Sequence, residues 1–194
     1  MSANFSNPDK KMILFCGPSG SGKTTIVHHM LSKDSRLKFS ISATTRKKRN
    51  NEQDEKDYHF LTIENFKNKI NEGAFIEWEE VYENGYYGTL RKEVEEILSQ
   101  GKVPVFDLDV VGGLSIKKQY KEKVLSVFVR PPDIETLNHR LTARATETAE
   151  DLKRRLDKAV HELTYADQFD KVLLNTNKEA ACRQAENLVN DFLK

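Results

Sequence analysis

Residues 11–24 read KMILFCGPSGSGKT, an apolar run that breaks into a glycine-rich turn carrying one lysine. Lys11–Cys16 is short and bounded by glycine, the pattern of a strand buried on both faces. Gly17-Pro18-Ser19-Gly20-Ser21-Gly22-Lys23-Thr24 matches G-x-x-x-x-G-K-[ST]. Phosphate oxygens require converging backbone N–H donors, and glycines let the main chain curl closely enough to supply them. Lys23 adds a cation for the β/γ-phosphates, and the Thr24 hydroxyl can ligate Mg²⁺. Downstream, Ile26, Val27, Met30 and Leu31 recur at helical spacing, so a helix over about 23–32 points its positive end at the ligand. Elsewhere such a string would be a glycine turn that happens to hold a lysine. Between a strand and an apolar-periodic helix it predicts a purine nucleoside triphosphate site.

The pattern repeats outward from this loop. Lys102–Asp109 (KVPVFDLD), Val124–Val129 (VLSVFV) and Lys171–Asn175 (KVLLN) read as further strands. Helices are expected over Leu90–Gln100, stopped by Gly101, and over Ile134–Arg144, capped by Asp133. Another covers about Ala149–Ala166, with Leu152, Leu156, Ala159, Val160 and Leu163 as its apolar stripe and Thr148 with Asp151 as a capping-box-like start. The last runs over about Lys178–Phe192 and buries Ala181, Ala185, Leu188, Val189 and Phe192. Alternation of this kind predicts an α/β fold with a largely parallel sheet. Residues 42–87 interrupt it: they are rich in charge and aromatics, with strand-like pieces at Tyr58–Leu61 and Phe75–Trp78 and a short helix ending at Ile70. They read as an inserted subdomain, and Ala143–Thr148 as a second mobile element.

Composition narrows the function classes. The 194 residues suit one domain with a core large enough to need neither disulfide nor structural metal. Lys plus Arg is 31 against 30 for Asp plus Glu, a net charge of +1, which argues against a globally basic nucleic-acid binder. Mean hydropathy is −0.65, and no run approaches the roughly 18 apolar residues of a spanning helix. The opening residues 1–10 read as a polar tail without an apolar leader core, pointing to a cytoplasmic chain. Cys16 and Cys182 lack metal-type spacing, and Cys16 reads as a small buried residue.

Two further clusters carry chemistry. Asp107 and Asp109 lie at the end of the Lys102–Asp109 run, where carboxylates can reach Mg²⁺ or its waters, or serve only as caps. Ser42-Ala43-Thr44-Thr45-Arg46-Lys47-Lys48-Arg49 precedes Glu52 and Asp57-Tyr58-His59-Phe60. Arg46 and Arg49 are spaced as a clamp on one small anion, since guanidinium groups match phosphate oxygens bidentately. Tyr58 and Tyr87 could complete that grip without adding charge. Arg140 and Arg144, four apart, share a helical face, with Arg155 a turn into the next helix.

Together the GPSGSGKT loop, SATTRKKRNNE with DYHF after it, FIEW, Tyr86-Tyr87-Gly88-Thr89, FDLD and the Arg140/Arg144/Arg155 set resemble the guanylate kinases, in family order from about Lys11 to Asn175. The resemblance implies a P-loop nucleoside monophosphate kinase fold. Its parts are a parallel-sheet core over 11–41 and 89–194, a GMP-binding subdomain over about 42–88 and a helical lid over about 138–155. It implies ATP on Gly17, Pro18, Ser19, Gly20, Ser21, Gly22, Lys23, Thr24, Thr25 and Asn175. It implies GMP, with dGMP left open, on Ser42, Arg46, Arg49, Glu52, Tyr58, Glu77, Tyr87, Thr89, Asp107 and Asp109. The implied cofactor is Mg²⁺ near Thr24 and Asp107, and Lys23, Arg46, Arg140, Arg144 and Arg155 are the implied catalytic groups. Guanine shows N1–H and N2 donors side by side, so one carboxylate, Glu77 by family match, can accept from both. Departures fall in loops: Lys48 stands where proline is usual, and Asn51, Glu55 and Ala145 where glycine is.

The implied reaction needs no activating base, because the acceptor phosphate is already ionised near pH 7; positioning and charge neutralisation carry it. No nucleic-acid or membrane partner is expected, and monomer and homodimer both stay open. Rival readings are a non-catalytic interaction module of the same fold, and a P-loop kinase for another acceptor.

Overall fold

The computed structural model describes residues 10–49, 52–142 and 149–194. In chain order the strands are β1 (Met12–Cys16), β2 (Leu37–Phe39), β3 (Ser42–Thr44), β4 (His59–Phe60), β5 (Phe75–Tyr82), β6 (Gly85–Leu90), β7 (Val103–Asp107), β8 (Val124–Arg130) and β9 (Lys171–Leu174). The helices are α1 (Lys23–Lys33), α2 (Ile63–Asn71), α3 (Arg91–Ser99), α4 (Val110–Tyr120), α5 (Ile134–Thr142), α6 (Ala149–Leu163) and α7 (Lys178–Leu193). The chain forms two compact units, one from the described residues of Met1–Ser35 with Asp107–Lys194, the other Arg36–Phe106.

In the first unit β1 pairs in parallel with β8, and β8 with β9. Every residue of β1 is fully buried, as its unbroken apolar run predicts. Burial of a large side chain such as Ile13 or Phe15 contributes about 1.5–3 kcal/mol. Neither cysteine forms a disulfide, and both are buried. Asp133 caps α5 as expected, accepting from the Thr136 N–H at 2.6 Å. On α6, Leu152 and Leu156 pack on the buried cluster of Leu137, Leu141 and Ala159. The expected stripe shifts at its end: Val160 is 37% exposed, whereas the charged Glu162 is buried. The proposed Thr148–Asp151 cap and the Ala143–Thr148 element fall outside the described residues and side chains.

In the second unit β2 and β7 are parallel, and a four-stranded sheet runs β4-β3-β6-β5. Its apolar face carries Ala43, Phe75 and Tyr86, packed with Phe66 of α2. Thr62 caps α2 through the Asn65 N–H. The strand expected to reach Asp109 ends at Asp107, because Asp109 has become the N-cap of α4. No helix among the described residues is long and apolar enough to cross a membrane.

Candidate active site

The turn between β1 and α1 is built as a phosphate loop. Gly22 sits at φ +94°, and a Cβ there would collide with the Asn175 amide; a Cβ on Gly17, at φ +137°, would strike the Val129 carbonyl oxygen. Only glycine tolerates both the left-handed backbone and the close approach. Asn175, buried just past β9, donates from Nδ2 to the Ser21 carbonyl at 2.7 Å and so braces the loop from behind.

Three cations converge on this turn. Lys23 Nζ donates to the Gly17 and Pro18 carbonyls at 2.5 and 3.2 Å. Arg140 reaches the Ser21 and Asn175 carbonyls, each at 3.4 Å. Arg155 Nη2 donates to Ser19 Oγ at 2.8 Å. The structure therefore gathers Lys23, Arg140 and Arg155, expected from separate segments, around the same six-residue loop. Arg144 lies outside the described residues, and Thr25 is exposed on the first turn of α1.

Thr24 Oγ1 donates to Asp107 Oδ2 at 2.6 Å. A hydroxyl and a carboxylate side by side offer hard oxygen donors, which fit Mg²⁺ held by one or two protein groups together with substrate phosphates. No cluster of three or more His, Cys, Asp or Glu able to hold a metal by itself occurs among the described residues. Asp109 has a different setting: Oδ1 accepts from the Gly112 N–H at 3.0 Å, and Oδ2 lies 3.8 Å from Lys158 Nζ.

The second unit holds a buried polar row. Thr89 is opposite Ser42 on one side and Glu77 on the other. All three side chains are buried, and Thr89 Oγ1 donates to Glu77 Oε1 at 2.6 Å. A register shift between Phe75 and Glu77 produces this arrangement. In an unbroken strand residues 75 and 77 would face the same way. The bulge leaves Phe75 in the apolar cluster and turns Glu77 to the opposite face, beside Thr89.

Two residues along the same strands, Tyr87 pairs with Thr44 and marks an anion cradle. Tyr58 meets Tyr87 edge-on at 6.1 Å between ring centroids, and Arg46 lies 4.9 Å over the Tyr58 ring. Glu52 grips Arg46 with two hydrogen bonds of 2.6 Å and also accepts from the Arg49 N–H at 2.9 Å. Burial opposes the Arg46 charge, but Glu52 together with Tyr87 and Tyr58 outweighs it and holds the guanidinium above its ordinary value. In turn the Arg46 hydrogen bonds hold Glu52 below the usual carboxylate range, against its partial burial. Glu52 thus aims the arginine, and Arg49 stays exposed at the rim, 4.0 Å from the same carboxylate.

Sequence reasoning passed over Lys158 and Glu162, which form an ion pair at 3.7 Å beside Asp109. Their i,i+4 spacing is visible in the sequence but is indistinguishable there from a solvated helix face. It also passed over His59 and Glu93, an ion pair at 3.6 Å between β4 and α3.

Comparison with known proteins bears on this geometry. Residues 9–192 match the family description Guanylate kinase. The guanylate kinase of Bacteroides thetaiotaomicron is 49% identical over 183 residues, covering 94% of this chain and 90% of that protein. The Porphyromonas gingivalis guanylate kinase is 43% identical over 184 residues, 94% of this chain and 98% of its own. Among solved structures, guanylate kinase from Anaplasma phagocytophilum superimposes with a TM-score of 0.77 at 26% identity, covering 93% of this chain and 85% of that one. The chain belongs to the guanylate kinase family.

Proposed function

We propose that this chain transfers the γ-phosphoryl group of ATP to the phosphate of GMP, giving ADP and GDP. The observation that carries the acceptor assignment is the buried Glu77 carboxylate, hydrogen-bonded to Thr89 in register with Ser42. Guanine presents N1–H and the N2 amino group to one carboxylate, and the neighbouring hydroxyls suit O6. Adenine has no such donor pair, and a buried polar site rejects a ligand that leaves its groups unpaired by a factor of about 10⁴ or more.

Each further group has a role in this reading. Main-chain N–H groups of the Gly17–Thr24 loop (Pro18 has none) hold the ATP phosphates, with Thr25 and Asn175 completing the donor side. Lys23, Arg140, Arg144 and Arg155 neutralise charge on the transferring group, while Arg46, Arg49, Tyr58 and Tyr87 hold the acceptor phosphate. Glu52 fixes Arg46. Thr24 and Asp107 would hold Mg²⁺, directly or through its waters, and the ion would supply electrostatic stabilisation of the bridging phosphate oxygens. Asp109 serves the acceptor side. The segments assigned are a core over 11–41 and 89–194, a GMP-binding subdomain over about 42–88 and a lid over about 138–155. The setting is cytoplasmic purine nucleotide metabolism.

A coupled ADP-release assay with ATP, Mg²⁺ and a panel of GMP, dGMP, AMP and UMP tests the reading. Rapid release with GMP and little with AMP or UMP supports it. Release with another acceptor but not GMP would reassign the substrate, and none with any acceptor would point to a binding module.

A further inference from the structure

On α6, Arg155, Lys158, Ala159 and Glu162 recur at i, i+3, i+4 and i+7, so they lie along one face. Arg155 reaches Ser19, and Ala159 packs with Leu137 and Leu141. Lys158 Nζ lies 3.8 Å from Asp109 Oδ2 and 3.7 Å from Glu162 Oε1. Glu162 is only 8% exposed, and its burial raises its pKa against the opposing fields of Lys158 and then Lys23. Two ammonium groups thus act on one buried carboxylate. One of them, Lys23, is the lysine hydrogen-bonded into the phosphate loop.

Removing one partner of a buried ion pair leaves the other charge uncompensated. Without Lys158, the next ammonium whose field reaches the Glu162 carboxylate is Lys23. We propose that Lys158 is a positioning residue for the donor site: by compensating Glu162 and Asp109 it leaves the Lys23 ammonium with the phosphate loop. The inference rests on the phosphoryl-transfer reading only in assigning Lys23 to ATP, and it gives Glu162 a role that no substrate contact requires.

The test is a cycle of Lys158→Met, Glu162→Gln and the double variant in the full chain. Equilibrium ATP binding is measured by calorimetry without GMP, turnover is measured with GMP, and thermal unfolding is followed in parallel. Lys158→Met is expected to weaken ATP binding and lower turnover by about tenfold to a hundredfold, the scale of a misplaced catalytic group. Adding Glu162→Gln removes the competing carboxylate and should restore most of that loss, and Lys158→Arg should retain both functions. Wild-type ATP affinity in Lys158→Met would overturn the inference. So would a double variant as impaired as Lys158→Met, which marks a purely structural lysine. Should Lys158→Met fail to fold, Lys158→Gln enters the same cycle. Because ATP binding is read without GMP, failure of the wild type to phosphorylate GMP would sink the proposed reaction while leaving this test intact.

Discussion

Thr89 Oγ1 and Glu77 Oε1 are joined by a 2.6 Å hydrogen bond between two buried side chains on neighbouring strands. The bond fixes the rotamer of the carboxylate assigned to the guanine edge. Glu77→Ala is therefore expected to lower kcat/KM for GMP by about 10²–10⁴-fold while ATP binding changes little. Initial rates at varied GMP, with ATP saturating, check this. Normal GMP kinetics in the variant would place base recognition elsewhere.

Lys23 sits inside the phosphate loop on the Gly17 and Pro18 carbonyls. On the proposed reading its loss removes a cation from the transferring group and leaves the residues assigned to GMP unchanged. Lys23→Ala should reduce turnover by about 10³-fold or more, the scale of a lost transition-state charge partner. GMP binding, measured by calorimetry, should persist. Turnover within a few-fold of wild type would contradict the assignment.

The His59–Glu93 pair makes the stability of the second unit depend on pH. Glu93 raises the His59 pKa above its ordinary 6.5, against partial burial. His59 in turn lowers the Glu93 pKa below 4.5, and the Ile41 N–H at 3.5 Å helps. Stability from His59 is fully present below 6.5 and is lost as pH rises through the elevated folded value. Stability from Glu93 is fully present above 4.5 and is lost as pH falls through the depressed folded value. His59→Gln should thus cost about 1 kcal/mol near pH 5.5 and much less at pH 9. Urea unfolding at the two pH values reads the difference, and an equal cost at both would exclude the charged pair.

Glu55 adopts φ +60°, a left-handed conformation that costs a residue with a Cβ about 1–2 kcal/mol. Its backbone N–H donates to the Tyr58 carbonyl and to Asp54 Oδ1, and both bonds survive substitution by glycine. After allowance for glycine's greater entropy loss, Glu55→Gly should stabilise the protein by about 0.5–1 kcal/mol and raise Tm by roughly 1–4 °C. An unchanged or lower Tm in calorimetry would rule this out.

What the sequence disclosed and what it hid follow from the range of the interactions. The phosphate loop, β1 and most helices rest on local patterns, and apolar periodicity with glycine punctuation located them within a residue or two. The strands β2 and β3 carry three residues each, too few for a pattern, and α4 begins with Val110-Val111-Gly112-Gly113, a poor helix opening. Glu77 could be singled out only by family resemblance, because the bulge that turns it away from Phe75 leaves no mark in a run reading FIEW. Glu162 escapes notice for the opposite reason. A charged residue next to an apolar stripe is normally solvated, and here the placement of Lys158 offsets its burial. Glu55 was marked as a departure from a usual glycine, and its positive φ supplies the physical basis of that preference.

Transfer between two nucleotides can be followed by ³¹P NMR of the protein with ATP, GMP and Mg²⁺. The GMP resonance is expected to decline in step with the ATP γ resonance, while the β-phosphates of GDP and ADP grow in equal amounts. Inorganic phosphate accumulating beside unchanged GMP, or a spectrum that does not change, would contradict it.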